Sequence, residues 1–314
     1  MGSKNTMLMK YKLLKAFMLV FITLLIACNS SKELDIWKVY YFGGQSNMDG
    51  YGYNSQLPDS LKKRIPNSMI FNGKRDNEGS PNGGIGIWSP VEPGHGNMFQ
   101  TDGVSNSLSK MFGPELSFAK KMTSDGVKIA IIKYSFGGTA LYPGAGYGDW
   151  HPDQERINHL DNALSTINNA FDVADINGDG RLDRLIPSGI IWMQGESDAE
   201  HSKEASEAYY DNLKNLINLL RASLRNEKIP AIIGKINDSH MTSNGGPTQP
   251  FIKIVHSAQK NFTEEDDCAS YVTEIESYNF SDDAWHYDTD GFIKMGIAFA
   301  KAVKQLEGNC LETN

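Results

Sequence analysis

Strand-like and helix-like patterns alternate along the chain from residue 36 onward. Short apolar runs rich in β-branched and aromatic residues predict five strands, over residues 36–42, 127–134, 185–193, 229–236 and 271–275. Apolar residues spaced three and four apart, with helix start and stop signals, predict helices over 114–123, 153–171, 203–225, 249–261 and 291–306. This alternation is typical of a mostly parallel sheet covered by helices on both faces. In such α/β domains, functional groups lie at the carboxyl ends of the strands.

One long stretch, residues 49–112, breaks the alternation. It is rich in Gly, Asn, Pro and Ser and shows little periodicity. Irregular segments of this length are often functional. Because the stretch also carries Trp88, His95 and Phe99, we expect it to line a substrate cleft.

The first 27 residues have the pattern of an export signal. Four lysines precede an uninterrupted apolar run over 16–27, which is shorter than the roughly 20 residues that a transmembrane helix needs. The end of that run, followed by Cys28, resembles a bacterial lipobox, so we expect cleavage to leave Cys28 as a lipid-carrying first residue. An ordinary signal peptide with a chance cysteine is the alternative. Residues 28–35 then predict a polar tether and residues 36–314 a single domain.

Composition and charge narrow the range of partners. The 314 residues are 40% hydrophobic and 22% charged, which is ordinary for a globular protein. The formal net charge is -8, and loss of the signal removes four lysines and no acidic residue, leaving -12. Such an excess of acid argues against nucleic acid or an anionic membrane surface as the main partner. A membrane link is therefore expected only through the lipid on Cys28.

Two other cysteines, Cys268 and Cys310, stand near the end of the chain. In an oxidising compartment they can pair. The sequence leaves a disulfide and two free thiols equally open.

A serine follows the first predicted strand at a glycine-rich turn. Gly43 and Gly44 allow a sharp turn before Gln45 and Ser46, so Ser46 is expected to be exposed to substrate near backbone N–H groups that can hold an oxyanion. The segment is not the G-x-S-x-G elbow, since Met48 stands in its last position. A structural turn with a solvent-facing serine is the alternative.

Two further turns bring polar groups to the same edge of the predicted sheet. After the second predicted strand, Gly137 and Gly138 can present unhindered backbone N–H groups. After the third, Gln194 offers a side-chain donor, while Glu196 and Asp198 add two carboxylates. Capping of a helix N-terminus is the alternative role for these acids.

A histidine with an acid at a short spacing precedes the last predicted helix. Asp283 lies three residues before His286, so its carboxylate can hydrogen-bond the imidazole, fix its tautomer and stabilise its charged form. An isolated pair of this kind is more often structural than catalytic. Trp150 and His151 follow another glycine-rich loop, which we interpret as a wall of the substrate site.

Together these segments resemble the SGNH hydrolase superfamily, and within it the carbohydrate esterases with sialate O-acetylesterase and acetylxylan esterase domains, similar to carbohydrate esterase family 6. The matching motifs are GQSNM at 44–48, GGT at 137–139, WMQGES at 192–197 and DAWH at 283–286. The resemblance covers residues 38–305. It implies a flavodoxin-like, three-layer α/β/α sandwich around a central parallel sheet of five strands.

The resemblance also implies a catalytic role for four side chains. Ser46 is expected to be the nucleophile and His286 the general base, which then acts as general acid for the leaving alcohol. Either Asp283 or Glu196 is expected to orient His286. Such chemistry needs no metal or organic cofactor.

The oxyanion hole and the substrate contacts are predicted from the same motifs. The resemblance implies oxyanion donors from the backbone of Ser46, the backbone of Gly138 (or, alternatively, Gly137) and the side chain of Gln194. Four residues are expected to contact substrate, namely Gln45, Trp88, Trp150 and His151.

A separate acidic loop between residues 175 and 183 resembles the EF-hand calcium loop. Its oxygen ligands would be Asp175, Asn177, Asp179 and Asp183, with glycine in the sixth position. The twelfth position is Ile186, so the usual bidentate glutamate is missing. The loop predicts either a structural Ca²⁺ site completed from elsewhere or a polar turn without metal.

The sequence thus predicts a serine esterase that removes O-acetyl groups from a polysaccharide or from sialic acid through an acyl-enzyme. The alternatives are an SGNH esterase for feruloyl or lipid esters and a non-catalytic glycan-binding lipoprotein. The oligomeric state is left open. Asn29, directly after Cys28, is not the aspartate associated with inner-membrane retention, so we expect an outer-membrane lipoprotein of the cell envelope.

Overall fold

The computed structural model describes residues 34–77, 80–153, 158–242 and 244–310. The predicted signal peptide, Cys28 and the tether up to residue 33 lie outside the described residues. One compact unit, Ile36–Asn314, carries all the features that follow. None of the helices in the described ranges is both long and apolar enough to cross a bilayer.

A seven-stranded sheet forms the centre of this unit. Its strands are β1 Asp35–Gly44, β2 Ser68–Asn72, β3 Trp88–Pro90, β4 Ile129–Ser135, β5 Asp183–Met193, β6 Ala231–Gly234 and β7 Ala269–Val272. They lie in the order β7-β6-β5-β1-β4-β2-β3. β1 is parallel to β4, β4 to β2, β5 to β6 and β6 to β7, whereas β3 runs antiparallel to β2. The predicted α/β class, with its mostly parallel sheet, is confirmed.

Two strands were not predicted, so the sheet has seven strands rather than five. Both come from the aperiodic stretch 49–112. All five residues of β2 are buried, so the strand lacks the polar alternation that marks a strand in sequence. β3 contains Pro90 and forms the edge of the sheet, where a missing N–H does no harm.

Helices cover the sheet in two groups. They are α1 Ser46–Asp49, α2 Glu115–Met122, α3 His159–Phe171, α4 Glu196–His201, α5 Lys203–Glu207, α6 Tyr209–Ser223, α7 Ile252–Glu265 and α8 Thr289–Cys310. α2 packs against α8, while α3, α6 and α7 pack in a row. In α2, Phe118 meets the rings of Tyr40 and Phe42 edge-on, at centroid distances of 5.1 and 4.9 Å. The result is the predicted three-layer sandwich.

Three predicted boundaries are corrected. α3 begins at His159 because the Asn158 side chain caps it by accepting the N–H of Asp161 at 3.1 Å. The helix predicted over 203–225 is interrupted at Ala208, between α5 and α6. The strand predicted over 271–275 ends at Val272, where a 3₁₀ turn follows.

Cys268 and Cys310 form a disulfide, which decides the alternative that the sequence left open. Their Cα atoms lie 5.6 Å apart, although the residues are 42 positions apart in sequence. The bond joins the residue before β7 to the last residue of α8. It therefore holds the end of the chain against the edge of the sheet and restricts the unfolded chain.

A buried ion pair ties the sheet to α1 and α2. Lys133 of β4 and Glu115 of α2 are 2% and 0% exposed, with Nζ and Oε2 2.8 Å apart. Nζ also donates to the backbone oxygens of Asp49 and His95, at 2.9 and 2.8 Å. All three ammonium protons therefore have acceptors, which offsets the loss of hydration.

We expect Lys133→Met to destabilise the fold by about 3–5 kcal/mol, because it leaves the Glu115 carboxylate buried and uncompensated. The loss can be measured as a lower midpoint of urea denaturation for residues 29–314. Lys62→Met is the control, since Lys62 pairs with Asp59 at the surface and should leave the midpoint unchanged. Equal midpoints for the two variants would contradict this account of the pair.

Candidate active site

The turn that carries Ser46 forms where the ends of β1, β4 and β5 meet. Gly44 has φ +145°, and a Cβ there would lie 2.0 Å from the backbone oxygen of Met193, so only glycine fits. The next residue, Gln45, donates its backbone N–H to that oxygen at 3.0 Å. On the other side, Phe136 donates its N–H to the oxygen of Gly44 at 3.1 Å. Ser46 is thereby held between the segments that follow β4 and β5.

Ser46 and His286 line the same cleft, whose volume is about 450 Å³. The cleft lies at the carboxyl ends of β1, β4 and β5. The aperiodic stretch 49–112 contributes to its lining, as expected, but through residues that the sequence did not single out: Tyr51, Arg75 and Asn97. Within that stretch, His95 is buried, with the ring of Phe99 packed against it.

Asp283 is the acid that bonds His286. Its Oδ2 lies 3.0 Å from Nδ1 of His286. Its Oδ1 accepts the backbone N–H groups of Trp285 and His286, each at 2.8 Å. Although partial burial works in the other direction, these hydrogen bonds hold the pKa of Asp283 below its usual value. The carboxylate therefore stays charged beside the imidazole.

Tyr51 stacks on the imidazole of His286. The ring centroids are 3.6 Å apart and the planes differ by 6°. The stack fixes the plane of the imidazole and places an aromatic face where it can stabilise a positive charge. No sequence signal indicated Tyr51, because it lies in the aperiodic stretch.

Among the described residues, Glu196 contacts Asn47, which in turn bonds to the backbone on both sides of His286. Glu196 is 3% exposed, and its Oε1 accepts a hydrogen bond from Nδ2 of Asn47 at 2.8 Å. The Asn47 amide also donates to the oxygen of Trp285 at 3.0 Å and accepts the N–H of Tyr287 at 3.4 Å. It therefore holds the backbone on both sides of His286. Burial raises the pKa of Glu196 to about 7, although the hydrogen bond from Asn47 acts to lower it.

Gln194 does not line the cleft, whereas the predicted role as an oxyanion donor requires its side chain to lie there. It is fully buried, and its Nε2 lies 2.7 Å from Oδ2 of Asp198, 3.0 Å from the oxygen of Thr139 and 3.2 Å from Oε1 of Gln45. The amide nitrogen is thus used to connect neighbouring turns. Asp198 also accepts the N–H groups of Leu141 and Tyr142, and burial raises its pKa to about 6.

Gly137 and Gly138 both line the cleft beside Ser46. Gly138 has φ +72°, and a Cβ there would lie 2.4 Å from the ring of Tyr147. A Cβ on Gly137 would lie 3.3 Å from Cβ of Ser46. Glycine at position 137 therefore leaves the space next to the serine open, and glycine at position 138 makes room for the ring of Tyr147.

Of the four predicted substrate contacts, only Gln45 lines the cleft. Trp88 packs on Phe71 at the sheet edge and donates to the oxygen of Ala170. Trp150 is 2% exposed and donates to the hydroxyl of Thr139. His151 lines a separate pocket of about 40 Å³ beside α6.

Trp150 is packed into the core, as large rings often are, whereas Trp88 and His151 are partly exposed away from this cleft. The cleft instead presents Tyr147, which is 79% exposed, and Trp285. Tyr147 belongs to the same glycine-rich loop as Trp150, so this loop lines the cleft through a ring other than the one that the sequence singled out.

The carboxylates of the acidic loop accept hydrogen bonds from the loop itself and, at Asp183, also from Trp37 of β1. Asp175 accepts the N–H groups of Gly178 and Gly180 at 2.8 and 2.7 Å. Asp183 accepts from Trp37 and from the backbone of Ile176, at 2.9 and 2.7 Å. Among the residues that the structure describes, no group of three or more His, Cys, Asp or Glu side chains is arranged to hold a metal ion. The contacts of Asn177 and Asp179 are also within the loop, and Ca²⁺ binding stays a prediction.

Solved structures with the same fold include a carbohydrate acetylesterase. A protein of Arabidopsis thaliana aligns at 19% identity and a TM-score of 0.59, over 86% of this chain and 98% of its own. XAC1771, a carbohydrate acetylesterase from Xanthomonas citri, aligns at 16% identity and 0.59, over 86% of this chain but only 56% of its own. NanS aligns at 16% identity and 0.55, over 87% of this chain and 98% of its own. At such identities the likeness shows the fold alone.

The family described as "Carbohydrate esterase, sialic acid-specific acetylesterase" matches residues 37–305. No curated protein matches the chain. This match defines a carboxylic ester hydrolase, and the fold is that of a mostly parallel α/β sandwich. The chain belongs to the sialic acid-specific acetylesterase family of carbohydrate esterases.

The raised pKa of Glu196 predicts a pH-dependent stability. Its pKa is about 7 in the folded protein, against 4.5 ordinarily, so the folded state binds the proton more tightly. The contribution of the protonated form is complete below pH 4.5 and is lost as the pH rises through 7. Relative to Glu196→Gln, the wild type should lose about 3 kcal/mol of unfolding free energy across that window. Urea denaturation at several pH values would measure this, and parallel curves would contradict it.

Proposed function

We propose that this chain is a serine O-acetylesterase acting on carbohydrate, with Ser46 as nucleophile. The observation that carries the proposal is that Ser46 lines one cleft with His286, whose Nδ1 is paired with Asp283. That pairing leaves Nε2 of His286 as the nitrogen available to the serine hydroxyl. The arrangement fits the roles of a Ser-His-Asp triad.

The reaction follows from these roles. Nε2 takes the proton of Ser46 as Oγ bonds to the acetyl carbon, and the tetrahedral intermediate then collapses. The bond to the sugar oxygen breaks, and the imidazolium returns the proton to that oxygen. A water molecule then repeats the sequence on the acetyl-enzyme, which releases acetate and restores Ser46. Asp283 stays ionised and Tyr51 lies on the imidazole face, so both support the transient charge on His286.

The oxyanion is held, in this proposal, by backbone N–H groups of Ser46 and of Gly138 or Gly137. Ser46 begins α1, so its N–H has no acceptor within the helix. Both glycines line the cleft, and Gly137, which lies beside Ser46, carries no Cβ that would crowd the serine.

We infer that the sugar is acidic. Arg75 lines the cleft with its guanidinium 3.8 Å from the centroid of the Phe136 ring. Within the described residues it makes no hydrogen bond or ion pair, so its donors are available to a ligand. A guanidinium fork matches a carboxylate. The family description, which names sialic acid, supports the same substrate class. The exposed ring of Tyr147 offers a flat apolar face for the sugar.

We also propose that the enzyme is exported and anchored to the cell envelope by a lipid on Cys28. The lipobox-like sequence before Cys28 supports this. The disulfide between Cys268 and Cys310 supports an oxidising compartment, since such bonds are rare in the cytosol.

Hydrolysis of p-nitrophenyl acetate by residues 29–314 tests the mechanism. Ser46→Ala and His286→Ala should each lower kcat on the order of 10⁴- to 10⁶-fold, because the triad acts as a unit. Labelling by a serine-directed phosphonate should be lost in Ser46→Ala. An active Ser46→Ala protein would refute the serine mechanism. A folded but inactive wild type that is not labelled would instead favour a glycan-binding protein.

Arg75→Gln tests the acidic sugar. Loss of a charged hydrogen-bonding group should lower kcat/KM roughly 10- to 100-fold on O-acetylated sialic acid. Hydrolysis of acetylated xylo-oligosaccharide, which is neutral, should change less than about twofold, since uncharged contacts are kept. Arg184→Gln, at the amino end of β5, is the control for a lost surface charge. An equal fall in kcat/KM on both substrates would show that Arg75 does not bind the carboxylate of the sugar.

A further inference from the structure

The side chain of Gln45 has one possible orientation. Its Oε1 faces the backbone N–H groups of Gly195 and Ser197, at 3.4 and 3.3 Å, and Nε2 of Gln194 at 3.2 Å. Backbone N–H groups can only donate, so the amide must present its oxygen to them. Its nitrogen consequently points to the opposite side.

The opposite side is the cleft. Gln45 lines it next to Ser46, although only 3% of the residue is exposed. Nε2 makes no hydrogen bond to any described residue. It is also not fully buried, so the atom is accessible from the cleft. It is therefore a fixed N–H donor, adjacent in sequence to the nucleophile, that opens into the cleft.

We propose that Nε2 of Gln45 is the side-chain donor of the oxyanion hole, a position that the sequence had assigned to Gln194. The inference rests on the proposed serine mechanism. As Ser46 attacks, the carbonyl oxygen gains negative charge, and a preoriented amide N–H can donate to it together with the backbone N–H groups. Gln45 is then a catalytic residue, since it contacts the reacting oxygen.

Gln194 becomes a positioning residue in this arrangement. Asp198 accepts from its Nε2, and the same nitrogen donates to Oε1 of Gln45. Three donors thus converge on one carbonyl oxygen. They prevent rotation of the amide and polarise it, which strengthens its own N–H as a donor.

Gln45→Glu and Gln45→Met test the proposal. Glu keeps an oxygen for the N–H groups of Gly195 and Ser197 but cannot donate, whereas Met removes the donor without adding charge. Both variants should lower kcat about 10²- to 10³-fold with KM changed less than about threefold, as expected for a donor used in the transition state. Affinity for a boronic acid, which forms a tetrahedral adduct with serine, should fall in parallel.

Gln100→Glu, on an exposed short strand, controls for the added charge and should keep wild-type kcat. A rise in KM alone would show a ground-state contact and overturn the proposal, as would wild-type kcat in Gln45→Met. If Glu unfolds the protein, Met still decides the question. Ser46→Ala, measured beside them, separates the two proposals: if it is inactive while the Gln45 variants are fully active, the serine mechanism stands and only this inference fails.

Discussion

The site depends on the close contact between the backbone ends of β1 and β5. Position 44 cannot carry a Cβ atom, because the carbonyl of Met193 occupies that space. The contact turns the chain so that Gln45 bonds to Met193 and Ser46 begins α1. Since Gly44 is also paired with Ser135, the glycines after β4 reach the same point. The carboxyl ends of three strands, β1, β4 and β5, therefore bring together groups that no single element could supply.

A second layer of buried polar groups lies beneath the cleft and fixes its parts. Glu196 orients Asn47, which holds the backbone on both sides of His286, and Asp198 orients Gln194, which holds Gln45. Burying two carboxylates raises their pKa values and opposes folding at neutral pH. This unfavourable burial lies at the position where the proposed mechanism requires serine, histidine and oxyanion donors to be aligned.

The residues that line the cleft come from two parts of the chain, the ends of the strands and the aperiodic stretch 49–112. The strand ends supply Ser46 and the oxyanion donors of the proposed mechanism, and the aperiodic stretch 49–112 supplies Tyr51 and Arg75. The first set is held by backbone pairing within the sheet. The second lies on loops, where binding groups can vary without altering the scaffold. Arg75, which we propose binds the acidic sugar, therefore lies outside the strand ends, whereas Tyr51 of the same stretch supports the proposed chemistry at His286.

The sequence by itself determined the alternation of strands and helices, the motifs around Ser46 and His286, and the family. Each of these depends on patterns among a few neighbouring residues. Asp283 could be found for the same reason, since it lies in the same turn as His286. Only the tertiary structure decided that β2 and β3 join the sheet, that Trp150 is core, and that the amide nitrogen of Gln194 turns away from the cleft. Periodicity reports the burial of one element, whereas the direction of an amide depends on partners far away in the chain, here 149 positions between Gln45 and Gln194. Such contacts exist only once the sheet has formed.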